Sequence, residues 1–168
     1  MDRYDSRRRQ RLPGYDYAQA NVYFVTITTH QFVARFGTIR NATVELNDAG
    51  RTVERFWRLI PRRYPTAIID AFVVMPDHFH GILVLGGESK GRPTLPRIMQ
   101  WFKSWTTTEY ATGVQEMDWE PFDGKLWHTG YYAHICRDEI DIERIRAYIE
   151  SNPDRRWRKM LLGKEAPS

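Results

Sequence analysis

The sequence has only one cysteine, Cys136. A single cysteine excludes an intrachain disulfide framework, and it excludes zinc sites that are built from several cysteines. It also fits a reducing compartment, so we expect a cytoplasmic protein. Because free cysteines are among the most buried residue types, Cys136 is interpreted as a small core side chain rather than as a nucleophile.

Long hydrophobic runs are also missing. The longest strongly apolar runs are Ala67–Met75 and Gly81–Leu85, and both are far shorter than the ~20 residues that cross a bilayer as a helix. The basic N-terminus is not followed by the apolar segment that a secretory signal requires, and we therefore expect no membrane partner. The glycine-rich segment Gly86–Pro93 matches no phosphate-binding P-loop, so we expect a link there.

What the sequence does contain is typical of a globular protein. Its 168 residues are 42% hydrophobic and 14% aromatic, which is enough for a core and argues against disorder. We expect a basic arm over residues 1–20, with five arginines in the first eleven positions, and a single domain over residues 21–168. Lysine and arginine number 25 against 21 acidic residues, and the net charge of +4 permits a nucleic-acid partner without requiring one.

The hydrophobic patterns predict an α+β fold. Runs of β-branched and aromatic residues indicate strands, and apolar residues at helical spacing indicate helices. The predicted strands are Asn21–His30, a hairpin over Gly37–Leu46, Ala67–Met75, Phe79–Leu85 and an extended segment over Lys125–Arg137. The first predicted helix begins at Asn47 or Asp48 and is ended by Pro61 and Pro65, and the second runs from Thr94 to about Ala111, before a loop over Gly113–Gly124. The third begins at Asp138, Asn152-Pro153 ends or kinks it, and a short basic helix over Arg155–Leu162 follows. Two strand pairs are joined too tightly for a parallel crossover, so we expect an at least partly antiparallel sheet with helices packed on it.

Two histidines flank a phenylalanine in the segment Asp77-His78-Phe79-His80. If Phe79 lies in a strand, His78 and His80 point to the same face, because side chains alternate along a strand. Their imidazoles can then share one divalent cation while Phe79 faces the core. Such a spacing also arises by chance, and the alternative is a pair of histidines on a solvated sheet face. Asp77 either orients a histidine or a water molecule, or it is a turn residue.

A second candidate pair lies in the predicted third long helix. Tyr148 and Asn152 are four residues apart, and residues at this spacing share one face of a helix. The Asn152 amide offers an oxygen ligand, and the Tyr148 phenol offers a nucleophile that needs help from a base or a metal-bound substrate. The alternative is a surface tyrosine followed by an asparagine that caps the helix before Pro153.

Together, the two segments predict one metal-dependent site. His78, His80 and the Asn152 oxygen leave coordination positions open on Mg²⁺ or Mn²⁺, and a phosphate oxygen can fill one of them. The Tyr148 oxygen can then attack the phosphorus in line. The resulting phosphotyrosine keeps the energy of the phosphodiester, so the 3′-OH of a second strand can reverse the attack and rejoin DNA without ATP.

The same segments resemble a known family. The segment FVVMPDHFHGILVL resembles the HUH motif (histidine, bulky hydrophobic residue, histidine) of single-tyrosine transposases. The segment LWHTGYYAHICRDEIDIERIRAYIESNP closely resembles the C-terminal block of the REP-associated tyrosine transposases. The lead-in FGTIRNATVELNDAGRTVERFWRLIPRRYP is similar as well, so the resemblance covers about residues 20–155. The blocks occur in the family's order and at its distance, which is far more specific than the histidine spacing alone.

The resemblance implies a role for each matching residue. His78 and His80 fall on the family's metal-binding histidines. Tyr148 falls on the nucleophilic tyrosine, and Asn152 falls on the third metal ligand, a position where related enzymes can use Gln. The resemblance also implies a ferredoxin-like fold with a central antiparallel sheet, a 5′-phosphotyrosine intermediate with a free 3′-OH, Mg²⁺ or Mn²⁺ as the cofactor, and single-stranded DNA near a hairpin as the substrate. A monomer matches the REP-associated kind better than a dimer does.

Several alternatives stay open. Tyr131 and Tyr132 compete with Tyr148 for the role of nucleophile, although neither has a ligand-type residue four positions on. His134 is interpreted as structural, with a role beside the site or against DNA as the alternative. In place of a transposase-like enzyme, the chain can be a domesticated hairpin-binding protein without catalysis, an HUH replication initiator or plasmid relaxase, or a hydrolytic zinc enzyme. The last is least favoured, since Asn152 would be an unusual zinc ligand.

Overall fold

The computed structural model describes residues 21–86 and 92–163, and every element below belongs to these residues. In chain order the strands and α-helices are β1 (Asn21–Thr28), β2 (Gly37–Arg40), β3 (Thr43–Leu46), α1 (Asp48–Arg63), β4 (Ala67–Val74), β5 (His78–Leu85), α2 (Leu95–Glu116), β6 (Tyr132–Cys136) and α3 (Glu139–Leu161), and a short 3₁₀ helix over His30–Phe32 follows β1. No helix within these residues combines the length and the apolar sequence that a bilayer crossing requires. The basic arm expected over residues 1–20 lies outside the described residues.

Four strands form one antiparallel sheet in the order β4-β5-β1-β6. The chain passes from β1 to β4 through α1 and from β5 to β6 through α2, and each crossover spans one intervening strand. This is the ferredoxin-like arrangement, so the expected α+β fold with a central antiparallel sheet is confirmed. β2 and β3 form a separate two-stranded hairpin, also as predicted.

The two faces of the sheet are covered by different helices. Ile27 of β1 points into a large apolar core under α1 and α2, which includes Trp57. Alternate residues of the strand point to the opposite face of the sheet. There Phe24 packs against Ile145 and Ile149 of α3. We call the first side the α1–α2 face and the second side the α3 face.

All three helices begin at predicted capping residues. The side chains of Asn47, Thr94 and Asp138 each accept a hydrogen bond from the backbone N–H three residues further on. Such caps satisfy N–H groups that have no partner within the first turn of a helix. The start of each helix is therefore a local property that the sequence specifies.

Two helices contain a proline, and α1 ends at Arg63, between the two prolines that are expected to end it. α1 includes Pro61 in its last turn, and α3 is one helix with Pro153 inside it. Of the two outcomes expected at Asn152-Pro153, an end or a kink of the helix, the end is wrong, and so is the separate helix over Arg155–Leu162. A proline removes one backbone hydrogen bond and crowds the preceding turn. In α3, tertiary contacts beyond the proline offset this loss, such as the ion pair of Arg156 with Asp77.

α2 also extends past its expected end near Ala111. It continues to Glu116, so the first part of the loop expected over Gly113–Gly124 is helical. Glycine is typical of helix ends, but Gly113 lies inside this helix because Trp119 folds back onto it. A Cβ atom at Gly113 would lie 2.1 Å from the Trp119 ring.

Candidate functional site

His78 and His80 lie two positions apart on β5 and point to the α3 face. Phe79 between them packs in the core of the α1–α2 face, as the sequence predicts. The centroids of the two imidazole rings are 4.6 Å apart. Across the sheet, His78 pairs with Thr28 of β1 and His80 pairs with Thr26. The strand register therefore sets a hydroxyl side chain beside each imidazole.

His80 is almost completely buried, with 3% of its surface exposed. Its Nδ1 lies 2.7 Å from the Thr26 hydroxyl oxygen, and its ring stacks on Phe24 with 5.5 Å between the centroids. Burial, reinforced by the neighbouring His78, lowers the pKa of His80 well below its ordinary value. The imidazole is thus neutral near pH 7, the form in which histidine binds metal ions.

His78 contacts a buried carboxylate. Its Nδ1 lies 2.6 Å from Oδ1 of Asp77, and a guanidinium nitrogen of Arg156 lies 3.2 Å from Oδ2 of Asp77. Burial alone would raise the pKa of Asp77, but the hydrogen bond from His78 and the charges of both partners lower it below its ordinary value. An ionised Asp77 accepts a hydrogen bond from Nδ1–H of His78, and in the neutral form of that ring the lone pair is then on Nε2. Of the two interpretations of Asp77, this geometry supports the one in which it orients a histidine.

α3 brings Tyr148 to the histidine pair. Its ring centroid lies 5.4 Å from that of His80 and 6.1 Å from that of Phe24. The guanidinium carbon of Arg155 lies 4.9 Å from the centre of the Tyr148 ring. Tyr148 is only half-buried. A solvent-accessible tyrosine therefore sits between a neutral imidazole and a guanidinium cation.

Asn152 lies one turn further along the same helix. It is 8% exposed and continues the buried stripe that Ile145 and Ile149 form on α3. The alternative of an asparagine that caps the helix end is wrong, because α3 continues to Leu161. The Asn152 amide thus lies on the side of α3 that faces the sheet.

Ion pairs fasten the first half of α3 to the sheet. Arg146 Nε lies 3.1 and 3.2 Å from the two carboxylate oxygens of Asp70, which sits in a bulge of β4. Hydrogen bonding to Arg146 lowers the pKa of Asp70. His134 of β6 lies 2.8 Å from the carboxylate of Asp141 in the first turn of α3, which supports the structural interpretation of His134.

The other two candidate nucleophiles, Tyr131 and Tyr132, pack on opposite faces of the sheet. Tyr131 packs against the core of the α1–α2 face, on the opposite side of the sheet from the histidines. Tyr132 lies on the α3 face, but it pairs with Thr26, which in turn pairs with His80. Tyr132 is thus two strands away from His80, about 10 Å at the usual strand spacing. Tyr148 is the best placed of the three.

Three of the four predicted site residues form one cluster, namely His78, His80 and Tyr148. The fourth, Asn152, is buried one helical turn away from Tyr148. Within residues 21–86 and 92–163, no group of three or more His, Cys, Asp and Glu side chains is placed to hold a metal ion.

Sequence reasoning misses two residues of this cluster. Thr26 lies between Val25 and Ile27 of β1, and its approach to His80 depends on the pairing of two strands, so the strand itself carries no signal for it. Arg156 lies about two turns after Tyr148, which places it near the site only if the helix continues through Pro153. Because the sequence does not predict that the helix continues to Leu161, it does not place Arg156 near the site.

Comparison with known proteins assigns the chain to a family. The family model described as IS200-like transposase matches residues 37–152, more than half of the chain, and this range contains both histidines, Tyr148 and Asn152. An uncharacterised protein of Haemophilus influenzae (strain Rd KW20) is 36% identical over 160 residues, which cover 88% of each of the two chains. The chain therefore belongs to the IS200-like transposase family.

Two solved structures share the fold. A REP-associated tyrosine transposase bound to a REP hairpin matches with a TM-score of 0.55 and 19% identity, over 88% of this chain and 74% of that chain. A candidate transposase from Deinococcus radiodurans matches with a TM-score of 0.51 and 18% identity, over 84% of this chain and 95% of that chain. At these identities the likeness concerns the fold alone. Together with the family match, it confirms the resemblance to the REP-associated tyrosine transposases.

Proposed function

We propose that the protein is a metal-dependent single-stranded DNA endonuclease and strand transferase that cuts near hairpins. The observation that carries this proposal is the approach of Tyr148 to the histidine pair, with 5.4 Å between its ring centroid and that of His80. The two residues lie on different elements, so the fold itself brings a tyrosine side chain close to two histidines. Membership of a transposase family supports the same conclusion.

His78, His80 and Asn152 would hold Mg²⁺ or Mn²⁺. The fit rests on the imidazoles: the Asp77 carboxylate binds the Nδ1 proton of His78, and burial keeps His80 neutral. A carboxylate behind a ligating histidine fixes the tautomer and the orientation of its ring. Two imidazoles and one amide leave coordination positions for substrate and water, as Mg²⁺ usually requires. When bound, the metal ion would polarise a phosphate oxygen of the phosphodiester that is cut.

Tyr148 is the proposed nucleophile. Its phenolic oxygen loses a proton and attacks the phosphorus, the bond between phosphorus and the 3′ oxygen breaks, and that oxygen takes up a proton. The products are a 5′-phosphotyrosine and a free 3′-OH. The Arg155 guanidinium lies over the Tyr148 ring, a cation–π contact that helps to hold the ring in place. Because one phosphoester bond replaces another, a second 3′-OH can reverse the step and join two DNA ends.

The proposed substrate is single-stranded DNA beside a hairpin, and the proposed working unit is a monomer. A transposase of similar fold is bound to a REP hairpin, and the net charge of +4 suits a polyanionic partner. Tyr148 lies beside His80 of its own chain, which supports a site formed within one chain. With DNA as its substrate, the protein is expected to act in the cytoplasm.

The test is the formation of a covalent protein–DNA adduct. The protein is mixed with labelled single-stranded oligonucleotides drawn from hairpins that flank its own gene, with Mn²⁺ or with EDTA, and run on an SDS gel. We expect a shifted band that requires Mn²⁺ and is absent in Tyr148→Phe, which removes only the hydroxyl group. Tyr132→Phe is the matched control, since it removes the same group from the same face two strands away, and it should keep the adduct.

Each other outcome has a distinct meaning. An adduct that persists in Tyr148→Phe and disappears in Tyr132→Phe would transfer the role of nucleophile to Tyr132. An adduct that forms equally well in EDTA would contradict the metal site. Hairpin binding without an adduct under any metal would favour a nucleic-acid-binding protein without catalysis.

A further inference from the structure

The Asp77 carboxylate contacts two different parts of the candidate site. Its Oδ1 lies 2.6 Å from Nδ1 of His78, and its Oδ2 lies 3.2 Å from both terminal nitrogens of Arg156. His78 belongs to β5, whereas Arg156 belongs to α3, the helix that carries Tyr148. One carboxylate thus connects the histidine pair to the tyrosine helix.

These contacts are shielded from water. Asp77 is 7% exposed, and the side chain of Arg156 is 21% exposed. Charge-assisted hydrogen bonds are stronger in such surroundings than at the surface. Removal of Arg156 takes one of two partners from the buried Asp77 carboxylate and leaves only His78, which is unfavourable. The position of the Asp77 carboxylate therefore depends on whether Arg156 is in place.

We propose that Asp77 and Arg156 are positioning residues that couple the docking of α3 to the orientation of His78. This inference rests on the proposed function, since it concerns the same metal site. With α3 docked, Arg156 holds the carboxylate so that its other oxygen fixes the Nδ1–H tautomer of His78. With α3 displaced, His78 loses this support. Because coupling between two sites is reciprocal, a metal ion on His78 also stabilises the docked position of Tyr148.

A second arginine of α3 offers a matched control. Arg146 also fastens α3 to the sheet, and its ion pairs are with Asp70, Glu139 and Glu143. Arg146→Met and Arg156→Met therefore each remove one anchor of the same helix. The first acts on helix docking in general, and the second also acts on the carboxylate behind His78.

The experiment measures Mn²⁺ affinity by isothermal titration calorimetry and the His78 tautomer by ¹⁵N NMR of the metal-free protein. We expect Arg156→Met to weaken Mn²⁺ binding about fivefold, at the lower end of usual coupling between sites. Asp77→Asn removes the carboxylate itself and should weaken it about tenfold or more. Arg156→Lys keeps the positive charge but loses the planar guanidinium with its two parallel donors. Its Mn²⁺ affinity should therefore lie between that of Arg156→Met and that of the unaltered protein. Arg146→Met loosens α3 without touching the carboxylate behind His78, so it should weaken Mn²⁺ binding less than Arg156→Met does.

Two results would overturn the inference and leave the proposed function intact. One is an unchanged Mn²⁺ affinity and an unchanged His78 tautomer in Arg156→Met. The other is an equal loss of affinity in Arg146→Met, because helix docking in general would then explain both. If the unaltered protein binds no Mn²⁺, the proposed metal site is wrong, and the His78 tautomer alone tests the coupling between α3 and His78. A changed tautomer in Arg156→Met then supports this coupling, and an unchanged tautomer overturns it.

Discussion

The two faces of the sheet bury different kinds of side chain. The α1–α2 face buries large aromatic rings in one extended core, among them Trp57, Phe79 and Phe102. The α3 face has a smaller apolar cluster, formed by Phe24, Ile82, Cys136, Ile145 and Ile149. The same region holds four of the six buried polar residues in the described part of the chain, which are Thr26, Asp77, His80 and Asn152. One face is thus nearly all core, whereas the other combines core with polar chemistry.

This division has a physical reason. Burying a polar group costs free energy unless it is paired, and even paired groups contribute less to stability than apolar side chains of similar size. A face that holds histidines, a carboxylate and an amide therefore contributes less to folding than the opposite face. Substitutions on the α1–α2 face should act mainly on stability, and polar substitutions on the α3 face should act mainly on the reaction.

The largest expected loss of stability follows from Trp57→Ala. The Trp57 side chain is fully buried, and its ring centroid lies 4.5 Å from that of Phe79 and 5.4 Å from that of Phe102. Truncating such a ring should lower the free energy of unfolding by about 3–5 kcal/mol. This is a large part of the ~5–15 kcal/mol that holds a typical domain folded. Urea unfolding monitored by circular dichroism measures the change.

Ile149→Ala is the corresponding truncation on the α3 face. Ile149 belongs to the smaller cluster, so its loss should cost about 2 kcal/mol, at the lower end for this kind of change. A greater loss at Ile149 than at Trp57 would contradict the view that the α1–α2 face supplies most of the stability.

Features encoded over a few residues could be predicted from the sequence. The alternation in β5 correctly separates Phe79 from the histidines, and the capping residues correctly start every helix. Helix ends could not be predicted, because they depend on contacts with distant residues. α2 passes Gly113 because Trp119 packs there, and α3 passes Pro153 because Arg156 pairs with Asp77.

The candidate site shows the same limit. The spacing of the histidines and the four-residue step from Tyr148 to Asn152 are visible in the sequence. In α3, Asn152 is buried and Tyr148 lies next to His80. Thr26 approaches His80 only through the register of two strands that lie far apart in the chain. Such a pairing has no local signal, and the same holds for the contact between Arg146 and Asp70.

A smaller loss is expected from Gly113→Ala in α2. Alanine normally stabilises a helix over glycine by up to about 1 kcal/mol. Here the added Cβ atom would lie 2.1 Å from the Trp119 ring, and overpacking of this kind costs about 1–3 kcal/mol. We therefore expect a net loss of about 1 kcal/mol in thermal unfolding, with adduct formation unchanged. The double variant with Trp119→Ala removes the clash, so Gly113→Ala should not destabilise that background.

The smallest expected effect is the change with pH in the stability that the ion pair of Asp70 with Arg146 contributes on the α3 face. Hydrogen bonding to Arg146 lowers the pKa of Asp70 in the folded protein. Such a carboxyl group contributes stability above its unfolded pKa, near ~3.9, and loses this contribution as the pH falls through its folded pKa. The Asp70 and Arg146 side chains are 26% and 31% exposed, so we expect about 1 kcal/mol or less.

Asp70→Asn imitates the protonated carboxyl and isolates this contribution. The difference in unfolding free energy between Asp70→Asn and the unaltered protein should be constant from about pH 7 to about pH 5 and should shrink below about pH 4. Urea unfolding at a series of pH values measures it, and a difference that grows on acidification would contradict the assignment. Since the Arg146 anchor is intact throughout the neutral range, a loss of adduct formation at about pH 5–6 would have to originate elsewhere than in the release of α3 from Asp70.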